Sequence, residues 1–246
     1  MNLKSENLKG KNILITGASR GIGKYLTKKF SSLGVNVIML SKNEETLDLI
    51  YDEIKEKYKT DPCILKCDLE NLDENKAQEI ANVISENYDC LDALINNAAI
   101  LGKMSSIMDY DLKTWEKAIS TNLTSSFLLS KYLVPILKHS QLPRLIFTSS
   151  GVALEGKAYW GAYSVSKAGI KALSEILKEE LETIPKLKVF NFNPKATRTE
   201  MRALAFPAED PNSIKKPDKL MDYYLWMLSN KSSSSFKTYV EFGDKI

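Results

Sequence analysis

Short β-branched runs alternate with longer stretches of helical periodicity along the whole chain. Residues 12–16 (NILIT) read as a buried strand closed by Gly17, and residues 24–33 as a helix stopped by Gly34. The next strand is 35–40. Over 44–59 the apolar Leu47, Ile50, Ile54 and Tyr58 recur on one face, the period of an amphipathic helix. Asp61-Pro62 turns the chain into a strand at 63–67, followed by a helix at 74–86 and a fourth strand at 91–96. Residues 113–138 predict one long helix, disturbed in its last turn by Pro135. A strand at 145–149, a helix at 162–182, a strand at 188–192, a helix at 219–228 and a strand at 238–242 complete the pattern. Strict β-α-β alternation predicts an α/β fold: a doubly wound, seven-stranded parallel sheet with helices on both faces, in one domain over 1–246. Residues 195–216 carry Pro207 and Pro211 and little periodicity. They are long for a connector, so they are either a substrate-binding lid or a disordered excursion.

Composition narrows the partners. Of 246 residues, 43% are hydrophobic and 26% charged, ordinary for one globular domain. The net charge is only +3, and four of the 34 cations are arginine, which argues against a nucleic-acid partner. The three cysteines cannot make a paired disulfide framework, so a reducing, cytoplasmic compartment is expected. The first residues lack an apolar leader, and the apolar stretch 123–137 is broken by Lys131 and too short for a bilayer, so no membrane role is expected. No metal site is expected either: Cys63 and Cys67 read as core residues of a short strand, and His139, the only histidine, closes a helix.

The first strand runs into Thr16-Gly17-Ala18-Ser19-Arg20-Gly21-Ile22-Gly23 and a helix follows. Such a strand–loop–helix start holds a pyrophosphate with backbone N–H groups and the positive helix end. Gly17 allows the sharp turn, Gly21 lets backbone approach phosphate, and Gly23 lets the helix pack on the strand. A P-loop is excluded: the earlier glycine it needs is replaced by Ala18, and Tyr25 stands where magnesium needs a hydroxyl. The spacing T-G-x-x-x-G-x-G resembles the glycine motif of classical short-chain dehydrogenases/reductases, whose fold is Rossmann-like.

The second strand ends Leu40-Ser41-Lys42-Asn43, with no carboxylate until Glu44. Arg20 and Lys42 both suit a 2′-phosphate, so NADP(H) is preferred over NAD(H). By the resemblance, Ser19, Arg20 and Ile22 belong to the phosphate loop and Asp68-Leu69 contacts adenine. The run Asn96-Asn97-Ala98-Ala99 is similar to the family's N-N-A-G. Asn96 would tie the central sheet through its side chain and Ala98 would sit beside the cofactor ribose; Ala99 departs from the usual glycine. Asn193-Pro194-Lys195-Ala196-Thr197-Arg198-Thr199-Glu200-Met201 resembles N-P-G-x-x-x-T-x-M, which implies that Pro194, Thr197 and Thr199 meet the carboxamide; Lys195 replaces the glycine.

Tyr163 and Lys167 lie four apart at a helix start, which stacks them on one face. A neighbouring ammonium favours phenolate and would move the phenol's pKa down from about 10 toward working pH. Ser150 ends the fifth strand, at the edge that lines the ligand crevice, and Asn122 sits unusually inside a helix. Asn122, Ser150, Tyr163 and Lys167 match the family's Asn-Ser-Tyr-Lys tetrad. The resemblance implies that Tyr163 is the general acid/base, that Lys167 lowers its pKa and binds the nicotinamide ribose, that Ser150 positions the carbonyl, and that Asn122 helps hold a proton relay through water. Residues 201–211 and Ala158-Tyr159-Trp160-Gly161-Ala162-Tyr163 resemble a YciK-like subgroup of bacterial oxidoreductases.

The implied function is an NADP(H)-dependent oxidoreductase that interconverts a carbonyl and a secondary alcohol, of the carbonyl or 3-oxoacyl reductase type. The alternative is an NADP(H)-binding regulator without turnover. The partner is a small-molecule substrate, with Leu154, Trp160, Met201, Leu204 and Phe206 as candidate apolar walls. Tyr159 and Trp160 either line the substrate mouth or are core or interface aromatics. The family's habit implies a homodimer or homotetramer through the helices at 113–138 and 162–182.

Overall fold

The computed structural model describes residues 8–235 and 237–246; the remainder of the predicted 1–246 domain lies outside the described residues. Seven strands form one all-parallel sheet: β1 (Asn12–Thr16), β2 (Asn36–Ser41), β3 (Cys63–Lys66), β4 (Ala93–Asn96), β5 (Arg144–Thr148), β6 (Lys188–Asn193) and β7 (Tyr239–Glu241). Their order is β3-β2-β1-β4-β5-β6-β7, so the winding reverses between β1 and β4. That reversal opens a crevice above the carboxyl ends of those two strands, the usual ligand position in a doubly wound sheet. The predicted fold class is the observed one.

Period-two alternation sends neighbouring residues of each strand into two different cores. Ile13 and Ile15 of β1 join Val37, Met39 and Phe192 under α1 (Gly21–Ser31), α2 (Glu44–Lys57) and α8 (Met221–Met227). Leu14 joins Ile38, Leu94 and Phe147 on the opposite face, under α3 (Glu74–Asn87), α5 (Ser125–Leu137) and α6 (Gly161–Glu180). α2 shows how sequence sets this packing: Leu47, Ile50 and Ile54 form its buried stripe, and the Asn43 side chain caps it by accepting from the Thr46 N–H.

Two features depart from the expected pattern. The single helix predicted over 113–138 is α4 (Leu112–Ile119), a wide π-helical turn (Ser120–Thr124) and α5. The break falls at Asn122, not at Pro135, which α5 accommodates. The Asn122 amide is drawn inward: its Nδ2 donates to the Ile100 carbonyl at 2.9 Å and to Ser166 Oγ at 3.0 Å, and its Oδ1 accepts from the Ile100 N–H at 2.8 Å. Ser125 and Ser126 hydroxyls then bond the carbonyls of Thr121 and Asn122. The second is Arg144, fully buried at the start of β5, whose guanidinium donates to the carbonyls of Met227, Lys186 and Ser229. It fastens the middle of the sheet to the C-terminal segment, a role its charge conceals in the sequence.

Residues 195–216 are not a disordered excursion: they fold as α7 (Glu200–Ala205), capped by Thr199, followed by a short turn at Pro211–Ser213. Among the described residues, no helix is long and apolar enough to cross a membrane, and no cluster of His, Cys, Asp and Glu has a metal-binding arrangement.

Candidate active site

A cavity of about 800 Å³ occupies the crevice. At one end is the β1–α1 turn. Gly17 has φ +67° and Gly21 φ +55°, both in the left-handed region that favours glycine. A Cβ on Gly23 would lie 2.2 Å from the Gly17 carbonyl oxygen and 2.8 Å from Asn97 Nδ2, so only glycine lets α1 pack this close. Gly23 itself packs beneath the cavity; Gly17, Ser19, Arg20, Gly21 and Ile22 line it. α1 begins without a capping side chain and with no acid in its first turn, whereas α2, α3 and α4 are capped by Asn43, Asp73 and Asp111. Its first N–H groups and positive end therefore face the cavity uncompensated, which suits a bound pyrophosphate. The residues present fit a dinucleotide at this end.

Arg20 and Lys42 both reach the cavity, as expected. Each has an acidic neighbour that the linear sequence did not reveal: Arg20 Nη1 is 3.4 Å from Glu200 and Lys42 Nζ is 3.9 Å from Asp68. Both cations are largely exposed, so these pairs are weak and leave either cation able to turn to a ligand. Leu69 is buried against the same wall.

The role expected of Asn96 belongs to its neighbour. Asn97 Nδ2 donates to the Thr16 carbonyl at 3.0 Å, and the Asn97 and Ala98 N–H groups each donate to Thr16 Oγ1 at 2.9 Å, tying β4 to β1. Asn96 is the last residue of β4 and faces the other way, buried, with no hydrogen-bond partner for its side-chain amide among the described residues; one residue along a strand end inverts the face. Ala98 lines the cavity against Gly17. The two departures from the family's glycines resolve differently. Ala99 is not among the left-handed residues, so its backbone does not require glycine. Lys195 does adopt φ +51°, held there by its N–H on Asn193 Oδ1 at 2.9 Å and by an ion pair with Glu241 at 2.7 Å.

Ser150, Tyr163 and Lys167 line one wall of the cavity together. Tyr163 and Lys167 start α6 and are buried; Ser150 follows β5. Lys167 Nζ donates to the Thr148 carbonyl at 2.7 Å and lies 5.7 Å from the centre of the Tyr163 ring. Burial raises the Tyr163 phenol above its ordinary pKa, and the Ser150 hydroxyl, hydrogen-bonded to it, acts in the opposite direction. Burial also lowers the Lys167 ammonium to about 8. Desolvation, not the expected pull of Lys167, sets the direction of the phenol's shift. Asn122 is not on the cavity wall; it holds the strand-end loop at Ile100 and, through Ser166, the start of α6.

Pro194, Thr197 and Thr199 line the cavity from the loop after β6; Thr197 Oγ1 donates to the Pro194 and Lys195 carbonyls, closing that loop on itself. Of the apolar walls expected, Trp160, Met201 and Phe206 line the cavity, whereas Leu154 and Leu204, 55% and 70% exposed, stay outside this wall. Tyr159, at φ +70°, is exposed and lies off the wall, so the two aromatics before Gly161 part company. Cys67 lies on the cavity wall as a buried free thiol, its pKa pushed up to about 11 by burial.

Comparison with known proteins identifies the family. The short chain dehydrogenase family profile matches residues 11–210. The uncharacterized oxidoreductase YciK of Escherichia coli K12 is 36% identical over 229 residues, 93% of this chain and 90% of its own. A 3-oxoacyl-[acyl-carrier-protein] reductase of Rickettsia prowazekii is 33% identical over 177 residues, 72% of this chain and 69% of its own. A short chain dehydrogenase from Escherichia coli CFT073, solved with NADPH, is similar at TM-score 0.92 and 35% identity over 97% of this chain and 98% of that one. With the family profile, the relatives and the fold in agreement, this chain belongs to the short-chain dehydrogenase/reductase family, in its YciK-like branch of oxidoreductases.

Proposed function

We propose that the chain is an NADP(H)-dependent oxidoreductase that interconverts a carbonyl and a secondary alcohol. The observation that carries this reading is the convergence of Ser150, Tyr163 and Lys167 on one wall of a cavity whose far end is the uncapped start of α1 with Arg20 and Lys42. In this reading the Gly17–Gly23 turn and the first N–H groups of α1 hold the pyrophosphate. Arg20 and Lys42 hold a 2′-phosphate, in keeping with relatives from Shigella flexneri and Escherichia coli solved with NADP and NADPH. Asp68, Leu69 and Ala98 line the adenosine end, and Lys167, Pro194, Thr197 and Thr199 hold the nicotinamide end.

The nicotinamide, when bound, supplies or accepts the hydride. The chain's own part is orientation and proton transfer. Ser150 Oγ donates to the substrate oxygen and stabilises charge developing there. The Tyr163 phenol gives its proton to that oxygen in reduction and takes it back in oxidation. A raised pKa keeps the phenol protonated, the form that donates. Lys167, cationic below about pH 8, lowers the cost of phenolate during the transfer. Asn122 is a positioning residue for the loop at Ile100 and for α6. Residues 195–216 serve as the substrate lid, a role supported by Met201 and Phe206 of α7 and its flank on the cavity wall.

Apolar Phe127 on α5 and Val165 and Ile176 on α6 are exposed, which supports a homodimer or homotetramer through these helices. Three free thiols support a cytoplasmic location. The test is Tyr163→Phe: NADPH oxidation with a ketone panel falls about a thousandfold while NADPH affinity stays within about twofold. Full turnover by the variant overturns the mechanism. Tight NADPH binding by the wild type with no turnover of any ketone replaces the enzyme with a cofactor-binding regulator.

A further inference from the structure

Three aromatic rings follow one another along the cavity wall. Trp160 stands 5.8 Å from Tyr163, centre to centre, and Phe206 another 5.8 Å from Trp160. The rings are tilted by 51° and 45°, so they form a continuous apolar strip that leads from the Tyr163 phenol to the lid. Its outer end is fixed. The Arg202 guanidinium lies 3.6 Å over the Phe206 ring, and its Nε and Nη2 each donate to the Glu209 carboxylate at 2.6 Å. This two-pronged pair spans the turn after α7, so Arg202 cannot leave Phe206 without breaking both bonds. Glu209 is held ionised, its pKa lowered by Arg202. Despite this bracing, Phe206 remains 38% exposed.

We propose that this strip is the specificity-determining subsite of the chain, and that it selects carbonyl compounds whose rigid apolar body is about two rings long over small ketones. Trp160 and Phe206 are the surfaces such a body covers; Arg202 and Glu209 are positioning residues that hold Phe206 in line. The proposal rests on the reading that the reacting carbonyl sits at Tyr163. A single-ring ketone placed there reaches Trp160, and a second ring reaches Phe206 and buries the apolar face left exposed. The added apolar burial raises affinity about tenfold.

The experiment titrates the NADPH-loaded full chain with acetophenone and with acetylnaphthalene by calorimetry, and follows NADPH oxidation in parallel. The wild type binds acetylnaphthalene about tenfold more tightly than acetophenone. Phe206→Ala weakens acetylnaphthalene more than acetophenone and brings the two within about twofold. Glu209→Gln, which keeps every ring and changes no apolar surface, weakens acetylnaphthalene alone by about threefold. Equal affinities in the wild type, or equal weakening of both ketones in either variant, overturn the proposal. Discrimination in binding with no NADPH-dependent reduction of either ketone, or of any ketone in the panel, sustains the strip and overturns the oxidoreductase reading instead, so the two failures are told apart.

Discussion

At the β1–α1 end the cavity is shaped largely by backbone: Gly17 and Gly21 line it, Gly23 lets α1 pack beneath it, and the first N–H groups of α1 face it, with the Arg20 and Lys42 side chains at the rim. At the lid end it is shaped by side chains, the rings of Trp160 and Phe206 held by Arg202 and Glu209. A backbone surface has no freedom to change one atom at a time, so it suits a ligand that stays the same. A side-chain surface changes with each substitution, so it suits the ligand that differs between relatives. Tyr163 and Lys167 stand where the two meet.

The strongest way to break this contrast is Gly23→Ala. The new Cβ would fall 2.2 Å from the Gly17 carbonyl oxygen and 2.8 Å from Asn97 Nδ2, and neither is the free end of a flexible side chain. The expected result is loss of measurable NADPH binding and a stability cost of about 3 kcal/mol in urea unfolding. Phe206→Ala, at the other end, leaves NADPH affinity unchanged. Normal cofactor affinity in Gly23→Ala would show that the turn is not under the constraint described.

A second prediction probes the junction by pH. The Lys167 ammonium has a pKa of about 8 in the fold against 10.5 ordinarily, because burial disfavours the charge. Between these values the unfolded chain binds more protons, so this residue's contribution to stability rises with pH across that window. Its full cost is present below pH 8. Relative to Lys167→Met, the wild type therefore gains about 3 kcal/mol between pH 8 and 10.5, read from paired unfolding curves. A flat difference would place the ammonium in a better-solvated site than the one seen.

The cofactor rim predicts a smaller effect. Lys42→Ala lowers NADPH affinity about tenfold and leaves NADH affinity within about twofold, since only one of the two carries the 2′-phosphate. The neighbouring Asp68 adds a second arm: Asp68→Asn frees Lys42 and raises NADPH affinity slightly. Equal loss of NADPH and NADH in Lys42→Ala would move the cation's role to the shared pyrophosphate.

What could be read from the chain alone follows the same division. The β1 run, the turn at Gly17–Gly23 and the pair Tyr163–Lys167 are local: their chemistry lies within a few consecutive residues, and each stands where the pattern put it. What escaped is made by distant partners. The wide turn at Ser120–Thr124 depends on Asn122 meeting Ile100 and Ser166, which no local periodicity encodes. That the role expected of Asn96 falls to Asn97 turns on where a strand ends to within one residue, the least legible property of a strand. Leu154 and Leu204 are apolar and near the right elements, yet loop path and helix rotation leave them outside the wall. Arg202 and Glu209 are close in sequence, but only the turn between them reveals that they brace Phe206.

Lys195 sharpens the contrast by the smallest margin, because it is a side chain placed in a backbone conformation suited to glycine. At φ +51° its Cβ crowds the following carbonyl, a strain of about 1 kcal/mol. Opposing this is the ion pair with Glu241 at 2.7 Å, partly exposed and worth less than about 1 kcal/mol. The informative comparison is between two variants that both lose the pair: Lys195→Gly should be more stable than Lys195→Ala by about 1 kcal/mol, since only the alanine keeps the strained Cβ. Against the wild type, Lys195→Gly then sits within about 1 kcal/mol, strain relief and the lost pair nearly cancelling. Equal stability of the glycine and alanine variants, measured by urea unfolding, would mean that the loop after β6 relaxes away from the left-handed conformation once the lysine is gone, and that the Glu241 pair, not the loop's own path, holds it there.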